Sequence, residues 1–129
     1  MTVDLNSKPD IDAPEGPASG LLEIDDIVVG DGGEAVPGGM VTVHYVGVEY
    51  DSGEEFDASW DRGAPSTFPL VGLIDGWREG IPGMKVGGRR KLVVPSRLAY
   101  GETTAKGHPL QGKTLIFVID LLGVGEAPA

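Results

Sequence analysis

Short apolar stretches with period-two alternation, each ended by glycine or proline, follow one another from residue 21 to residue 124. The strongest of them is 114–124. Four of its apolar residues occupy alternate positions on one face: Leu115, Phe117, Ile119 and Leu121. Ile116 and Val118 lie on the opposite face, so this segment is apolar on both sides. A strand is buried on both faces only inside a sheet, so the pattern predicts a central strand.

Weaker stretches of the same kind predict the other strands of the fold. They are 21–29, 40–50, 54–58, 67–70 and 89–94. One segment has a different period, because Ile74, Trp77 and Ile81 are spaced i, i+3 and i+7. This spacing gives one apolar face of a short helix, which the following Pro82-Gly83 would end. The order of elements predicts an α+β fold, a twisted antiparallel sheet wrapped on one short α-helix.

The composition agrees with that architecture and narrows the chemistry. A chain of 129 residues is the size of one domain and can bury a core without covalent staples. It has 21 glycines and 10 prolines, which disfavours a helical bundle. It has no cysteine, which excludes a disulfide scaffold, a thiolate zinc site and a cysteine nucleophile.

Charge is distributed unevenly along the chain. Ten basic against twenty acidic residues give a formal net charge of −10. Residues 1–61 hold fifteen acids and a single base, Lys8, whereas residues 62–129 hold five acids and nine bases. A net charge of this sign argues against nucleic acid or an anionic membrane as a partner.

The chain divides into three parts by composition. Residues 1–20 combine prolines and glycines with four acids, which predicts a flexible or loosely draped acidic arm. Residues 21–125 form the domain, and residues 126–129 form a short tail. No apolar run approaches the roughly 18 residues of a membrane span, and the start of the chain lacks the pattern of a secretory signal. A cytoplasmic location is therefore expected.

Several kinds of chemical site find little support. The histidines His44 and His108 are too far apart in sequence to form a ligand pair, so no metal is expected. The Gly-rich stretch 30–33 lacks the P-loop pattern, and no G-x-S-x-G elbow occurs. The basic run Arg89-Arg90-Lys91 is expected to be a solvated strand that pairs with the acidic half of the chain, the alternative being a phosphate-binding patch.

The aromatic residues allow two interpretations. Trp77 lies on the helix face that must cover the sheet, while Tyr45 and Phe117 lie on the inward faces of their strands. The pattern alone favours ordinary core aromatics. The alternative is that these rings line a concave apolar pocket.

Several collinear segments bear on that choice. Val43-His44-Tyr45-Val46-Gly47 and the G-x-x-F-D-x-S stretch 53–59 resemble segments of FKBP-type peptidyl-prolyl cis–trans isomerases. Further segments with family-like spacing follow at 61–62, 68–70, 74–80, 84–87, 98–101 and 114–117. The resemblance implies the FKBP-like fold, a twisted antiparallel β-sheet half-wrapped around one short α-helix, and a monomer.

The resemblance also implies where a proline residue binds. Trp77 would form the floor of the pocket, with Asp57 at the rim beside Tyr45. Apolar walls would come from Tyr45, Phe56, Leu73, Ile74 and Phe117. The Tyr100 hydroxyl and the Ile74 backbone N–H would donate hydrogen bonds to the bound peptide. Asp57 could also pair with Arg62 or Tyr45, which is compatible with a place at the rim. The residues expected to act in catalysis are Asp57, Ile74, Trp77, Tyr100 and Phe117.

The implied activity is that of a rotamase, which accelerates slow X–Pro steps in the folding of proline-containing polypeptides. No bond is broken, so no cofactor is required. Tacrolimus- and rapamycin-type macrolides are further expected ligands. The alternative is an FKBP-fold module that binds macrolides or peptides and has weak or incidental catalysis.

Two departures from the family pattern concern the edge of the expected pocket. Ser66 stands where many relatives have an aromatic residue, and Gly107–Gly112 replaces an apolar loop tip. The preference for the residue before proline and the affinity for macrolides are accordingly left open.

Overall fold

The computed structural model describes residues 7–11, 14, 16–101 and 112–125. Their strands and α-helix are, in chain order, β1 (Glu23–Val28), β2 (Met40–Glu49), β3 (Glu55–Ala58), β4 (Ser66–Pro69), α1 (Asp75–Gly80), β5 (Arg89–Val94) and β6 (Leu115–Gly125). Short 3-10 helices occupy Trp60–Arg62, Leu70–Gly72 and Ser96–Leu98. The predicted strands and the helix are present, and each strand boundary lies within two residues of its predicted position.

The strands form one antiparallel sheet in the order β1-β5-β6-β2-β3, with β4 also paired to β2. The long strands β2 and β6 pair along their whole length, from Met40 opposite Gly125 to Glu49 opposite Leu115. The free edge of β2 is shared: β4 pairs with its first half and β3 with its second half. The predicted central position of β6 is confirmed, because it lies between β5 and β2.

The two faces of the sheet carry separate apolar clusters. The inner face is the one that α1 covers, and its buried residues include Val43, Tyr45, Trp77, Ile81, Leu92, Phe117 and Ile119. The outer face carries a smaller cluster of Val46, Val48, Tyr50, Ala58, Val93 and Ile116. Alternate residues of β2 and β6 therefore serve two cores, as the two-sided apolar pattern of β6 predicted.

Glycine stands where α1 lies against β5. A Cβ atom at Gly76 would be 2.4 Å from Cγ1 of Val94, and one at Gly80 would be 2.8 Å from the δ carbons of Leu92. A larger residue at either position would force the helix or the buried side chains of Val94 and Leu92 to shift. The close approach presses Trp77 into the inner core, where it is only 5% exposed.

The basic run on β5 differs from the expectation of a solvated strand. Arg89 is 4% exposed and forms a two-pronged ion pair with Asp120, with Nε–Oδ1 and Nη2–Oδ2 distances of 2.6 and 2.8 Å. Arg90 pairs with Asp26 and also donates to the carbonyl oxygen of Gly80 at the end of α1. The prediction was wrong for Arg89 because its partner faces it across the sheet from the C-terminal half of the chain.

The described part of the N-terminal arm contacts the outer face of the sheet. Ile11 and Ala18 pack against the outer cluster, and Lys8 forms ion pairs with two acidic side chains. The predicted limits of arm, domain and tail stay a prediction, and residues 126–129 lie outside the described residues. Within the described part, no helix combines the length and apolar character needed to cross a membrane.

Gly76→Ala should destabilise the fold by about 1–3 kcal/mol, because the added methyl group overlaps Val94 in a packed core. Gly72→Ala is the matched control, since the nearest atom to a Cβ there is Cγ of Pro69 at 3.7 Å. The control should change stability by no more than about 0.5 kcal/mol. Urea unfolding measures both values. A Gly76→Ala protein as stable as the wild type would contradict the close approach of α1 to β5.

Candidate active site

An apolar cavity of about 160 Å³ opens between α1 and the sheet. Nine residues line it: Tyr45, Phe56, Asp57, Phe68, Leu73, Ile74, Trp77, Tyr100 and Phe117. Eight of them are the residues that the sequence predicts for substrate binding. These eight come from strands β2, β3 and β6, from α1 and the residues just before it, and from the segment after the 3-10 helix Ser96–Leu98. The structure therefore brings the whole predicted set to one place.

The indole of Trp77 is boxed by three other aromatic rings. The ring centroids of Tyr45, Phe68 and Phe117 lie 5.2, 6.0 and 5.3 Å from it, at interplanar angles of 80°, 78° and 88°. Phe56 packs edge-on against Phe117 in turn, at 5.6 Å. Edge-to-face pairs of this kind each contribute about 0.5–1.5 kcal/mol beyond burial. The rings hold each other in place around the indole.

Phe68 is the lining residue that sequence reasoning did not assign to the pocket. It lies on β4 opposite Val41 of β2, which places it on the inner face. The period-two alternation of β4 could have predicted this position, because it places the Phe68 ring on the inward face of an edge strand, where it must cover apolar residues. Ser66, two residues earlier, is not among the lining residues.

Gly47 in the second half of β2 makes room for two of the rings. A Cβ atom there would lie 2.6 Å from Cζ of Phe56 and 2.9 Å from Cε1 of Phe117. Any side chain at this position would displace both rings. The glycine is therefore part of the construction of the cavity, although it presents no side chain to it.

The rim of the cavity carries a hydrogen-bonded polar cluster. The Tyr45 hydroxyl donates to Oδ2 of Asp57 at 2.6 Å, and Nη1 of Arg62 donates to Oδ1 at 2.7 Å. Nη2 of Arg62 also donates to the Tyr45 hydroxyl oxygen at 2.8 Å. Asp57 was expected to pair with Arg62 or Tyr45, and it pairs with both, so both carboxylate oxygens are engaged.

These contacts set the charge of the rim. Burial alone raises the pKa of Asp57, but the hydrogen bonds from Tyr45 and Arg62 outweigh it, and the net pKa lies below the ordinary value. Burial raises the pKa of the Tyr45 phenol, and its hydrogen bond to Asp57 raises it further. At neutral pH the cluster is an ionised carboxylate held by a neutral phenol and a cation.

Two further lining residues carry the hydrogen-bond donors that the resemblance assigns to the site. Tyr100 is half-buried, and burial, followed by the negative charge of Asp57, raises the pKa of its phenol. The hydroxyl is thus protonated at neutral pH. Ile74 stands just before α1 with extended backbone, φ −60° and ψ 154°. Its N–H bonds to no described carbonyl, whereas its own carbonyl accepts the N–H of Trp77.

The remaining candidates are structural or lie elsewhere. His44 Nδ1 bonds to the Ser59 hydroxyl at 2.7 Å, and its ring stacks on Trp60, which fits the structural role predicted for it. His108 lies outside the described residues, as does the loop 107–111. No cluster of three or more metal-ligating side chains occurs among the residues that the structure describes.

A second cleft of about 290 Å³ is larger but unlike a proline site. It lies beside α1, where its lining includes Val71, Asp75, Arg78 and Glu79 and has no aromatic residue. A cleft lined by solvated charged side chains offers little apolar surface to bind a proline ring. The smaller aromatic cavity is the better candidate.

Comparison with known proteins identifies the family. The sequence model of the family described as FKBP-type peptidyl-prolyl cis-trans isomerase matches residues 32–122. A probable FK506-binding protein of Corynebacterium glutamicum is 64% identical over 115 residues, which cover 89% of this chain and 97% of that protein. The FK506-binding protein of Streptomyces anulatus is 52% identical over 120 residues, or 91% of this chain and 97% of that one.

A solved structure extends the comparison to the fold. The putative peptidyl prolyl cis-trans isomerase FKBP12 from Mycobacterium tuberculosis is 56% identical and superposes with a TM-score of 0.59, covering 91% of this chain and 94% of that one. The sequence match and the shared sheet-and-helix architecture agree. This chain belongs to the FKBP-type peptidyl-prolyl cis–trans isomerase family.

Proposed function

We propose that this chain accelerates rotation about X–Pro bonds in polypeptides by seating the proline ring in the aromatic cavity. The observation that carries the proposal is the set of side chains that line the aromatic cavity. Its lining is mostly aromatic and aliphatic side chains, and it also includes Asp57 and Tyr100. A proline residue presents an apolar five-membered ring with a polar amide on either side, so a site that binds it needs apolar walls together with polar groups.

The reaction explains why such a site suffices. Conjugation opposes rotation about a peptide bond with a barrier of about 18–20 kcal/mol, and X–Pro bonds isomerise over tens to hundreds of seconds. A twisted amide has lost conjugation and is less polar than a planar one, so an apolar, water-poor cavity favours it. Each reduction of about 1.4 kcal/mol in the barrier accelerates the rotation tenfold.

The polar groups would act by position rather than by proton transfer. The Tyr100 hydroxyl and the Ile74 N–H would donate to carbonyl oxygens of the peptide, with the better fit to the twisted form. Asp57 would act as a fixed charge at the rim, because Tyr45 and Arg62 already engage both of its oxygens. Trp77 and Phe117 would hold the proline ring.

The proposal includes action as a monomer in the cytoplasm. The nine described lining residues come from within one chain, which supports a site that a single copy can form. The absence of cysteine means that the fold needs no oxidising compartment. Macrolides of the tacrolimus type would compete for the same cavity, as the names of the relatives from Corynebacterium and Streptomyces suggest for those proteins.

The first prediction concerns catalysis itself. The protein should accelerate cis-to-trans conversion of a short peptide with an apolar residue before proline, and tacrolimus should block the acceleration. A protease-coupled assay with and without tacrolimus measures both effects. Acceleration without inhibition would preserve the isomerase and implicate the altered loop 107–112. A folded sample that produced no acceleration would favour the binding-module alternative.

The second prediction separates the rim from the core. Tyr100→Phe should lower kcat/KM about three- to tenfold, the value of one lost hydrogen bond, with little change in Tm. Phe117→Ala should lower both activity and stability, the latter by about 3–5 kcal/mol, because the ring also belongs to the core. Tyr50→Phe on the outer face is the control for hydroxyl removal. Unchanged activity in Tyr100→Phe would disprove the role given to its hydroxyl.

The third prediction concerns pH. Because the folded pKa of Asp57 lies below its ordinary value of 3.8, its bonds stabilise the protein above that value and are lost as the pH falls below it. The Tm advantage of the wild type over Asp57→Asn should persist from about pH 7 to pH 5 and shrink below about pH 4. Tyr45→Phe removes the hydroxyl that donates to Asp57, so the Asp57 pKa should be less depressed and the Tm advantage should be lost at a higher pH. An advantage already lost at about pH 6 would contradict the assignment.

A further inference from the structure

The N-terminal arm meets the domain at the segment that carries the rim of the cavity. Lys8 Nζ lies 2.5 Å from Oε1 of Glu55 and 2.7 Å from Oδ1 of Asp61. Glu55 directly precedes Phe56 and Asp57 on β3, and Asp61 directly precedes Arg62. Each acidic partner of Lys8 is thus next in sequence to a residue of the cavity: Glu55 to the wall residue Phe56, and Asp61 to the rim residue Arg62.

The Asp57–Arg62 contact spans a short and partly exposed turn. It joins β3 to the 3-10 helix Trp60–Arg62, and the side chains of Asp57 and Arg62 are 42% and 50% exposed. An exposed ion pair holds its geometry weakly, because water and mobile ions compete for both partners. The backbone of the turn is anchored through the buried Ser59, whose hydroxyl accepts the Tyr45 N–H. The exposed side chains of Asp57 and Arg62 are the part that a restraint from outside can still adjust.

We infer that Lys8 is a positioning residue for the active site, because it ties Glu55 to Asp61 and so fixes the spacing between Asp57 and Arg62. This inference rests on the proposed function. Without the lysine, two carboxylates would face each other across the turn, and their repulsion would push β3 and the 3-10 helix apart. Lys8 is also the single base in residues 1–61, so no neighbour on the arm replaces it.

Other contacts hold the arm where the lysine can act. Nη2 of the buried Arg89 donates to the carbonyl oxygen of Ser7 at 3.2 Å, directly before Lys8. Ile11 packs on the outer cluster three residues later, together with Trp60 of the same 3-10 helix. The ammonium group is thereby held near its partners at a high effective concentration, which offsets part of the weakness of exposed ion pairs.

The test removes the charge and keeps the chain. In the intact 129-residue chain at low salt, Lys8→Met should lower kcat/KM for a neutral proline peptide about two- to fivefold, with Tm nearly unchanged. Lys8→Arg should retain most of the activity. Lys85→Met, which makes the same charge change at an exposed position beside β5, is the matched control and should have no effect.

Two further measurements make the outcome decisive. Raising the salt to about 1 M should bring the activity of the wild type close to that of Lys8→Met, because exposed pairs are screened. The NMR signals of the Asp57 amide and the Arg62 Nε–H should shift in Lys8→Met and remain in place in Lys85→Met. These shifts do not require catalysis, so they test the inference even if the wild type were inactive. Wild-type signals and activity in Lys8→Met, or an equal loss in Lys85→Met, would overturn it.

Discussion

The cavity depends on how closely α1 can approach the sheet. Gly76 and Gly80 bring the helix backbone against Val94 and Leu92, so closely that any side chain at these positions would force a shift. That approach places Trp77 on the inner face, where its indole contacts the rings of Tyr45, Phe68 and Phe117. A helix of six residues has little stability of its own, so its position is set by this packing rather than by its intrinsic propensity.

The two-sided burial of β2 and β6 connects the cavity to the opposite face of the molecule. Alternate residues of each strand enter the inner and outer clusters, so the sheet that supports the rings is itself packed from behind. Part of that backing comes from Ile11 and Ala18 of the arm. The buried pair between Arg89 and Asp120 adds a fixed link between β5 and β6, since a pair with both ions desolvated is costly to break on one side. The inner face is therefore a rigid wall.

Sequence periodicity was sufficient for the strands and the helix, because these depend on local phase, whereas the cavity was predicted from the family resemblance. The alternation in β6 and the helical spacing of Ile74, Trp77 and Ile81 placed these residues on the correct faces. The family resemblance then predicted that some of them line one binding pocket. The solvated strand predicted around Arg89 failed, since its partner is determined by strand register across the sheet. The contacts of Lys8 were equally out of reach, because they join positions 47 and 53 residues apart with no pattern between them.

An ionised carboxylate beside an apolar cavity is costly, and the cluster around Asp57 explains how this one is maintained. Desolvation works against the charge, whereas the Tyr45 hydroxyl and the Arg62 guanidinium each bind one carboxylate oxygen and outweigh it. The same bonds make the group a poor proton acceptor, because protonation would have to break one of them. In the proposed reaction this is no handicap, since rotation about an amide moves no proton. In that proposal the rotation would need a charge and a set of donors that do not move while the peptide twists, so the restraint of the rim would itself contribute to catalysis.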